Sequence, residues 1–242
     1  SPKVKIRRNR TILTTLKKPL SPIYTMKTLF IETKRKFKDS DINLKLLDSL
    51  KGKTISLAAT IQYIDLIPKI KSYLESKNKK VIIKQGAHHK AHVLGCNSTA
   101  LDKTADEILI ITDGKFHAIN NAIQIQKEVH VFSGQTLDKI TQKEIDQHNK
   151  KTLAKQKKFL LSDTVALILS TKYGQHHKQI NKIKIKIQAL NKKVYIFEAN
   201  NINTQEFENF PQIQLWINTA CYGLARDDPR IVNLTDILEF LK

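Results

Sequence analysis

The chain has 242 residues, with 42 Lys and Arg against 22 Asp and Glu, a formal net charge of +20 and two cysteines. That length can bury a substantial core, in one large domain or two small ones, and a 40% hydrophobic content excludes a disordered chain. Two cysteines exclude a disulfide scaffold and point to a reducing, cytoplasmic setting, and no apolar run reaches the roughly 18 residues of a membrane-spanning helix.

Residues 1–27 hold eight basic residues, no acid, and prolines at 2, 19 and 22. Residue 1 is Ser and the single methionine is Met26, so this stretch reads as a basic arm, a targeting peptide or, preferred here, the remnant of a longer chain. From residue 52 the pattern becomes regular. Thr54-Ile-Ser-Leu-Ala-Ala-Thr60 predicts a strand buried on both faces. Residues 61–77 predict a helix that Pro68 either kinks or makes start late. Lys80–Ile83 predicts a strand, 98–105 a short helix, Glu107–Thr112 a buried strand, 116–126 a helix and Val129–Phe132 a strand.

The same order then recurs. A charged helix is expected at 141–158, a strand at Thr164–Ser170, a helix at 175–190 and a strand at Lys193–Phe197. A short helix near 203–209, a strand at Ile213–Ile217 and a helix at 235–241 complete the chain. Alternating strands and helices predict an α/β fold of two similar parallel-sheet domains, at 51–140 and 141–242, behind a basic N-terminal segment at 1–50.

Ligands of such sheets bind in the loops at the carboxyl ends of the strands. The candidate loops are 60–63, 92–96, 113–117, 170–175 and 218–223, and both cysteines, 125 residues apart, lie among them. Loop cysteines suit a metal or cluster better than an apolar stripe does, but two thiolates leave a third ligand owed. His88, His89 and His92 raise a zinc site with Cys96, which a solvated polar loop outranks because no second ligand group follows at finger spacing. His117 stands at a strand-to-helix turn, suited to an anion or carboxylate. Gly114, Gly174 and Gly223 fall at predicted strand ends, where glycine permits positive φ or close ligand approach. The chain carries no G-x-G-x-x-G, no Walker lysine and no serine nucleophile elbow.

Taken in order, Ala59-Thr-Ile-Gln-Tyr63, Val93-Leu-Gly-Cys96, Asp113-Gly-Lys-Phe-His117, Ser170-Thr-Lys-Tyr-Gly-Gln175 and Asn218-Thr-Ala-Cys221 with Asp227-Asp228 resemble one family. It is the archaeal diphthamide synthase iron–sulfur subunit, a 2-(3-amino-3-carboxypropyl)histidine synthase, and the resemblance covers about residues 28–242. It implies three similar α/β domains in pseudo-symmetry, each giving one cysteine to a four-iron four-sulfur cluster. Cys96 is then the second domain's ligand and Cys221 the third's. On this resemblance most of the first domain is expected to be missing, with only a segment near 28–40 remaining.

The resemblance further implies that three thiolates leave one iron open to S-adenosylmethionine. Reductive cleavage of that cofactor's bond from sulfur to the γ-carbon yields a 3-amino-3-carboxypropyl radical, which is added to a histidine of translation elongation factor 2. Gln62, Gly114, His117, Ser170, Lys172 and Gln175 are the candidates for holding the cofactor's carboxylate and amine. Asp227 or Asp228 is the candidate for proton removal from the target imidazole. The implied partners are elongation factor 2, a second copy or paralogous subunit, and an electron donor. A non-catalytic partner subunit is the rival within the family, and an upstream cysteine would decide between the two. A nucleic-acid-binding module is the rival outside it. Residues beyond 27 keep 34 basic against 22 acidic residues, but aromatics are only 7% and form no stacking pattern. No membrane contact is implied.

Overall fold

The computed structural model describes residues 5–6, 31–226 and 228–242, so the basic stretch at 1–27 lies, apart from two residues, outside the described residues, as does Asp227. The architecture is α/β, built on two five-stranded sheets that are mostly parallel. The chain divides into two compact units between Lys151 and Thr152. A two-residue strand, β1 (Lys5–Ile6), stands first in chain order and belongs to the second sheet.

The unit Ile31–Lys151 holds β2 (Thr54–Ala59), α1 (Ile67–Ser76), β3 (Lys80–Ile82), β4 (Glu107–Ile111), α2 (Phe116–Ile125), β5 (Val129–Phe132), β6 (Leu137–Ile140) and the start of α3 (Gln142–Leu161). Its sheet order is β3-β2-β4-β5-β6, parallel except where β6 pairs antiparallel with β5. The period of two along β4 creates both cores. Leu109 and Ile111 face one layer with Leu57, Ile70, Leu74 and Phe132, while Ile108 and Ile110 face the other with Ala118, Ala122, Val129 and Ile145. α3 starts at a Thr-x-x-Glu capping box, in which Thr141 N donates to Glu144 Oε2 at 2.8 Å and Glu144 N to Thr141 Oγ1 at 3.4 Å.

The unit that includes Thr152–Lys242 holds the rest of α3, β7 (Thr164–Ser170), α4 (Ile180–Gln188), β8 (Lys193–Ala199), β9 (Leu215–Asn218), β10 (Ile231–Asn233) and α5 (Leu234–Ile237). Its sheet order is β1-β8-β7-β9-β10, with β1 alone antiparallel. Val165, Leu167 and Leu169 pack with Phe159, Ile187 and Ile237 on one face. Ala166 and Ile168 pack with Phe197, Phe207 and Trp216 on the other.

Several elements differ from the sequence expectation. Residues 98–105 form turns in place of a helix. Asn97 Oδ1 accepts from Thr99 N at 3.0 Å and Asp102 Oδ1 from Thr104 N at 2.9 Å, and such Asx turns compete with helical bonding. The expected helix at 61–77 is a 3-10 turn at Ile61–Leu66 followed by α1, in which Pro68 sits in the first turn, where no N–H partner is needed. The helix expected from 175 starts only at Ile180, because Gly174 turns the chain with φ +78°. β6 and β10 were not expected, and both are short edge strands. Gly114 has φ +63°, whereas Gly223 lies within a 3-10 turn, Tyr222–Ala225, and takes no positive φ.

Candidate functional site

In the unit Ile31–Lys151, the loops at the carboxyl ends of β2 and β4 meet. Ala59 N donates to Ala91 O at 2.8 Å and Val93 N to Ala59 O at 3.0 Å, so the segment leading to Cys96 lies alongside the end of β2 as a parallel bridge. Cys96 is an exposed free thiol on a turn closed by Leu94 N to Asn97 O and Asn97 N to Leu94 O, both 3.2 Å. His117, in the first turn of α2, stands against the same turn. A Cβ placed on Gly95 would lie 3.7 Å from His117 Cδ2. Burial holds His117 below the ordinary histidine range, so it is a neutral imidazole near pH 7. Gln62 is exposed on the 3-10 turn after β2, and Gly114 is exposed in the turn before α2.

Three residues beside these loops form a network that the sequence reading missed in part. Tyr63 is buried and its hydroxyl donates to Asp113 Oδ1 in a short contact, while Arg35 Nη1 donates to Tyr63 Oη at 3.2 Å and lies 3.6 Å from Asp113 Oδ2. Burial, then the Asp113 carboxylate, pushes the Tyr63 phenol up to about 12, so it stays a donor. Tyr63 and Asp113 stood in the matched stretches. Arg35 carries no signal of its own, because its segment reaches the strand ends only through the fold.

His88, His89 and His92 also gather, with ring centroids 5.5 and 6.0 Å from His92. His89 pairs with Glu32, and both ring nitrogens of buried His92 lack partners. Among the described residues no group of three or more His, Cys, Asp or Glu side chains is arranged to hold a metal ion.

Burial lowers the proton affinity of His92 and of His130, though Glu107, 3.4 Å from His130, opposes the shift there. With folded values below the unfolded value of about 6.5, the unfolded chain takes up protons first as pH falls. The stability linked to these two rings is therefore full above that value and is lost on going down through the folded values. Urea unfolding is expected at a lower midpoint near pH 5.5 than near pH 7.5; equal midpoints, or an undiminished dependence in a His92→Leu/His130→Leu chain, would contradict this.

The loop ahead of Cys96 tolerates no side chain at Gly86. A Cβ there would sit 2.0 Å from His92 O and 2.8 Å from His92 N and C, all backbone atoms. Gly86→Ala is expected to cost about 1–3 kcal/mol in unfolding free energy, the usual penalty of forcing packed atoms apart. An unchanged urea midpoint would show that the loop is not packed in this way.

In the other unit, Ser170 ends β7 fully buried, its hydroxyl accepting from Lys172 N at 3.1 Å. Lys172 is exposed, and Gln175 N closes the turn onto Lys172 O at 3.1 Å. Cys221 is an exposed free thiol on the turn after β9. Buried Asn218 organises that turn. Its Nδ2 donates to Cys221 O and to Asn233 Oδ1, both at 2.8 Å, and its Oδ1 accepts from Ala220 N at 3.0 Å. An open cleft of about 550 Å³ adjoins the Cys221 turn and is lined by Gly223, Leu224, Asp228 and Arg230. Asp228 is braced by Arg230, which donates from Nε at 3.0 Å and Nη2 at 2.8 Å. That guanidinium holds the carboxyl below the usual range, which makes Asp228 a weak proton acceptor.

The donor set fits two ligands of an iron–sulfur cluster. Both thiols are free and exposed, both sit on turns at the carboxyl ends of parallel strands, and thiolates are the ligands such clusters require. Among the described residues they would supply two ligands, not a complete set.

The family model "Putative diphthamide synthesis protein" matches residues 17–231. The chain is 30% identical over 217 residues to a 2-(3-amino-3-carboxypropyl)histidine synthase of Methanocaldococcus jannaschii, covering 84% of this chain and 57% of that protein. It is 25% identical to the synthase of the same name from Pyrococcus horikoshii, covering 73% of this chain and 52% of that protein. The chain thus spans little more than half the length of these relatives. The crystal structure of Dph2 from Pyrococcus horikoshii shares the fold at a TM-score of 0.71 and 23% identity, covering 82% of this chain and 60% of that one. A second Dph2 structure, with a 4Fe-4S cluster, superimposes at a TM-score of 0.67 and covers 78% and 57%. With a match spanning both units and both cysteine loops, the chain belongs to the diphthamide synthesis protein family.

Proposed function

We propose that the chain is part of a 2-(3-amino-3-carboxypropyl)histidine synthase in which Cys96 and Cys221 each supply one thiolate to a four-iron four-sulfur cluster. The observation that carries this reading is the pair of exposed free thiols, each on a turn held from below by buried amides. When bound, such a cluster supplies the electron that cleaves the sulfur to γ-carbon bond of S-adenosylmethionine, freeing the 3-amino-3-carboxypropyl group for a histidine of elongation factor 2.

The chain's own residues bind and orient. Lys172 and Gln175 present a cation and an amide to the cofactor's carboxylate and amine, and Ser170 holds their turn. Within the unit Ile31–Lys151, Gln62, Gly114 and neutral His117 are the candidates for contacts to the cofactor. Arg230 keeps Asp228 ionised at the cleft beside Cys221, so Asp228 orders that wall and does little as a base; Asp227 is left as the candidate acceptor of the target proton. The partners are elongation factor 2, a second copy or paralogous subunit, and an electron donor.

The test is anaerobic incubation of the chain with elongation factor 2, S-adenosylmethionine and dithionite, with and without the paralogous subunit. One added 3-amino-3-carboxypropyl group on a histidine, found by mass spectrometry, is expected in the arm with that subunit. With two of the three thiolates, the chain alone is expected to be inactive; unmodified elongation factor in the arm with the paralogous subunit, where an archaeal relative modifies it, would overturn the reading.

A further inference from the structure

Helix α2 carries amides where apolar residues would be the default. Positions 120, 121 and 124 are Asn, Asn and Gln, and Asn120 and Asn121 are only 1% and 0% exposed. A buried amide without a partner costs on the order of 1–3 kcal/mol, so such a row calls for a use. The helix packs on its sheet through Ala118, Ala122 and Ile125. The amides form a separate row, aimed at the turn that bears Cys96.

Asn121 Nδ2 donates to Leu94 O at 2.9 Å, and also to His117 O of its own helix at 2.8 Å. Gln124 Nε2 donates to Gly95 O at 2.9 Å. These are the two carbonyls immediately before Cys96. The turn's own backbone bonds join Leu94 to Asn97 and leave Gly95 and Cys96 at the tip. Gly95 is seated on the same row, since a Cβ there would lie 3.2 Å from Asn120 Nδ2 and 3.3 Å from Phe116 Cε1. Neither polar side-chain atom of Asn120 has a partner.

The geometry points to a positioning set for Cys96. Asn121 and Gln124 fix the two preceding carbonyls and so set where the thiol is presented, while Asn120 keeps a buried donor in reserve beside Gly95 for an acceptor atom of the group that Cys96 ligates. The identity of that group rests on the proposed function; the clamp itself does not. A helix that only needed to pack would place Leu or Ala at these positions and leave the carbonyls of the tip to water.

Hydrogen exchange on the full chain without iron tests the clamp. Gln124 is only half-buried, so Gln124→Glu, of equal size but without the donor, is the variant that keeps the fold. Exchange at the amides of residues 95–97 is expected to rise about threefold to tenfold, the range of one lost hydrogen bond. Exchange along β4 stays unchanged, and Gln124→Lys, which restores a donor, returns the slow rate. Equal exchange in wild type and Gln124→Glu would overturn the clamp.

The part assigned to Asn120 is read on chain reconstituted with iron and sulfide. Asn120→Leu, with the same branching and the same number of side-chain heavy atoms, is expected to keep its iron but to be reduced at a more negative midpoint potential, because a donor to sulfur is lost. An identical midpoint overturns that part. Cys96→Ala is run alongside; full iron in that variant would sink the cluster assignment, while the exchange result would still decide the clamp.

Discussion

Alanine at Cys96 or at Cys221 is expected to abolish cluster binding and to reduce aminocarboxypropyl transfer to background. A cluster of this type is held by thiolates, and the described residues provide no gathered His, Cys, Asp or Glu group to replace a lost one. Both cysteines are exposed, so either substitution should change folding stability by no more than about 0.5 kcal/mol. Loss of iron in a variant with a wild-type urea midpoint is therefore loss of a ligand, not of the fold. Serine at either site is expected to retain less iron than wild type and more than alanine, an alkoxide being a poorer ligand for iron than a thiolate. Iron content and visible absorbance after anaerobic desalting check the series. Full iron in either alanine variant would remove that cysteine from the ligand set.

Trp216→Ala should have the largest effect on stability. Trp216 is 2% exposed and lies at the centre of the layer on one face of the β8-β7-β9 sheet. It stacks on Phe207 at 3.8 Å between centroids with the planes 10° apart, and meets Phe197 at 4.7 Å and Phe210 at 6.1 Å. Removing the indole takes from Phe207 its stacking partner and from Phe197 and Phe210 one ring contact each, and leaves a cavity that the strand backbone cannot fill. The expected cost is about 3–5 kcal/mol, against a total stability of roughly 5–15 kcal/mol for an ordinary domain. Leu161→Ala, at a site 82% exposed, is the control and should shift the midpoint little. Equal midpoints for Trp216→Ala and wild type would mean that this layer does not carry the unit. The same substitution also bears on function, because β9, which holds Trp216, ends at Asn218, the residue that organises the Cys221 turn.

Much of the fold was legible because buried parallel strands write themselves as apolar runs. Glu107–Ile111 and Thr164–Ser170 fall within a residue of where the runs placed them, and their alternating residues feed two cores each. β6 was missed because Leu137-Asp-Lys-Ile140 is a charged edge strand, the composition that keeps an edge from pairing with other chains, and it reads as loop. β10 is three residues long and owes its strand character to β9 beside it. The expected helix at 98–105 failed on local chemistry, since Asn97 and Asp102 hold the backbone in turns.

The candidate site was legible where glycine and cysteine mark a loop and illegible where the fold brings distant residues together. Cys96, Cys221 and His117 stand in loops that the strand order ranked in advance. Asp228, with Asp227, was singled out as a proton acceptor from its position alone; its pairing with Arg230 emerges only from the fold. Arg35 reaches Tyr63 and Asp113 from 28 and 78 positions away. The amides at 120, 121 and 124 look in sequence like ordinary polar positions of a helix, and their use appears only when the Cys96 turn lies against them.

The most direct test of the central claim is protection of the two thiols. The chain is reconstituted without oxygen with iron and sulfide, desalted, and treated with an alkylating reagent beside the untreated chain, with each cysteine followed by mass spectrometry. If Cys96 and Cys221 both ligate the cluster, the product carries about four irons per cluster, its broad absorbance bleaches on dithionite, and both cysteines are shielded together until the iron is stripped. Iron bound while either cysteine is alkylated as fast as in the untreated chain would contradict the account.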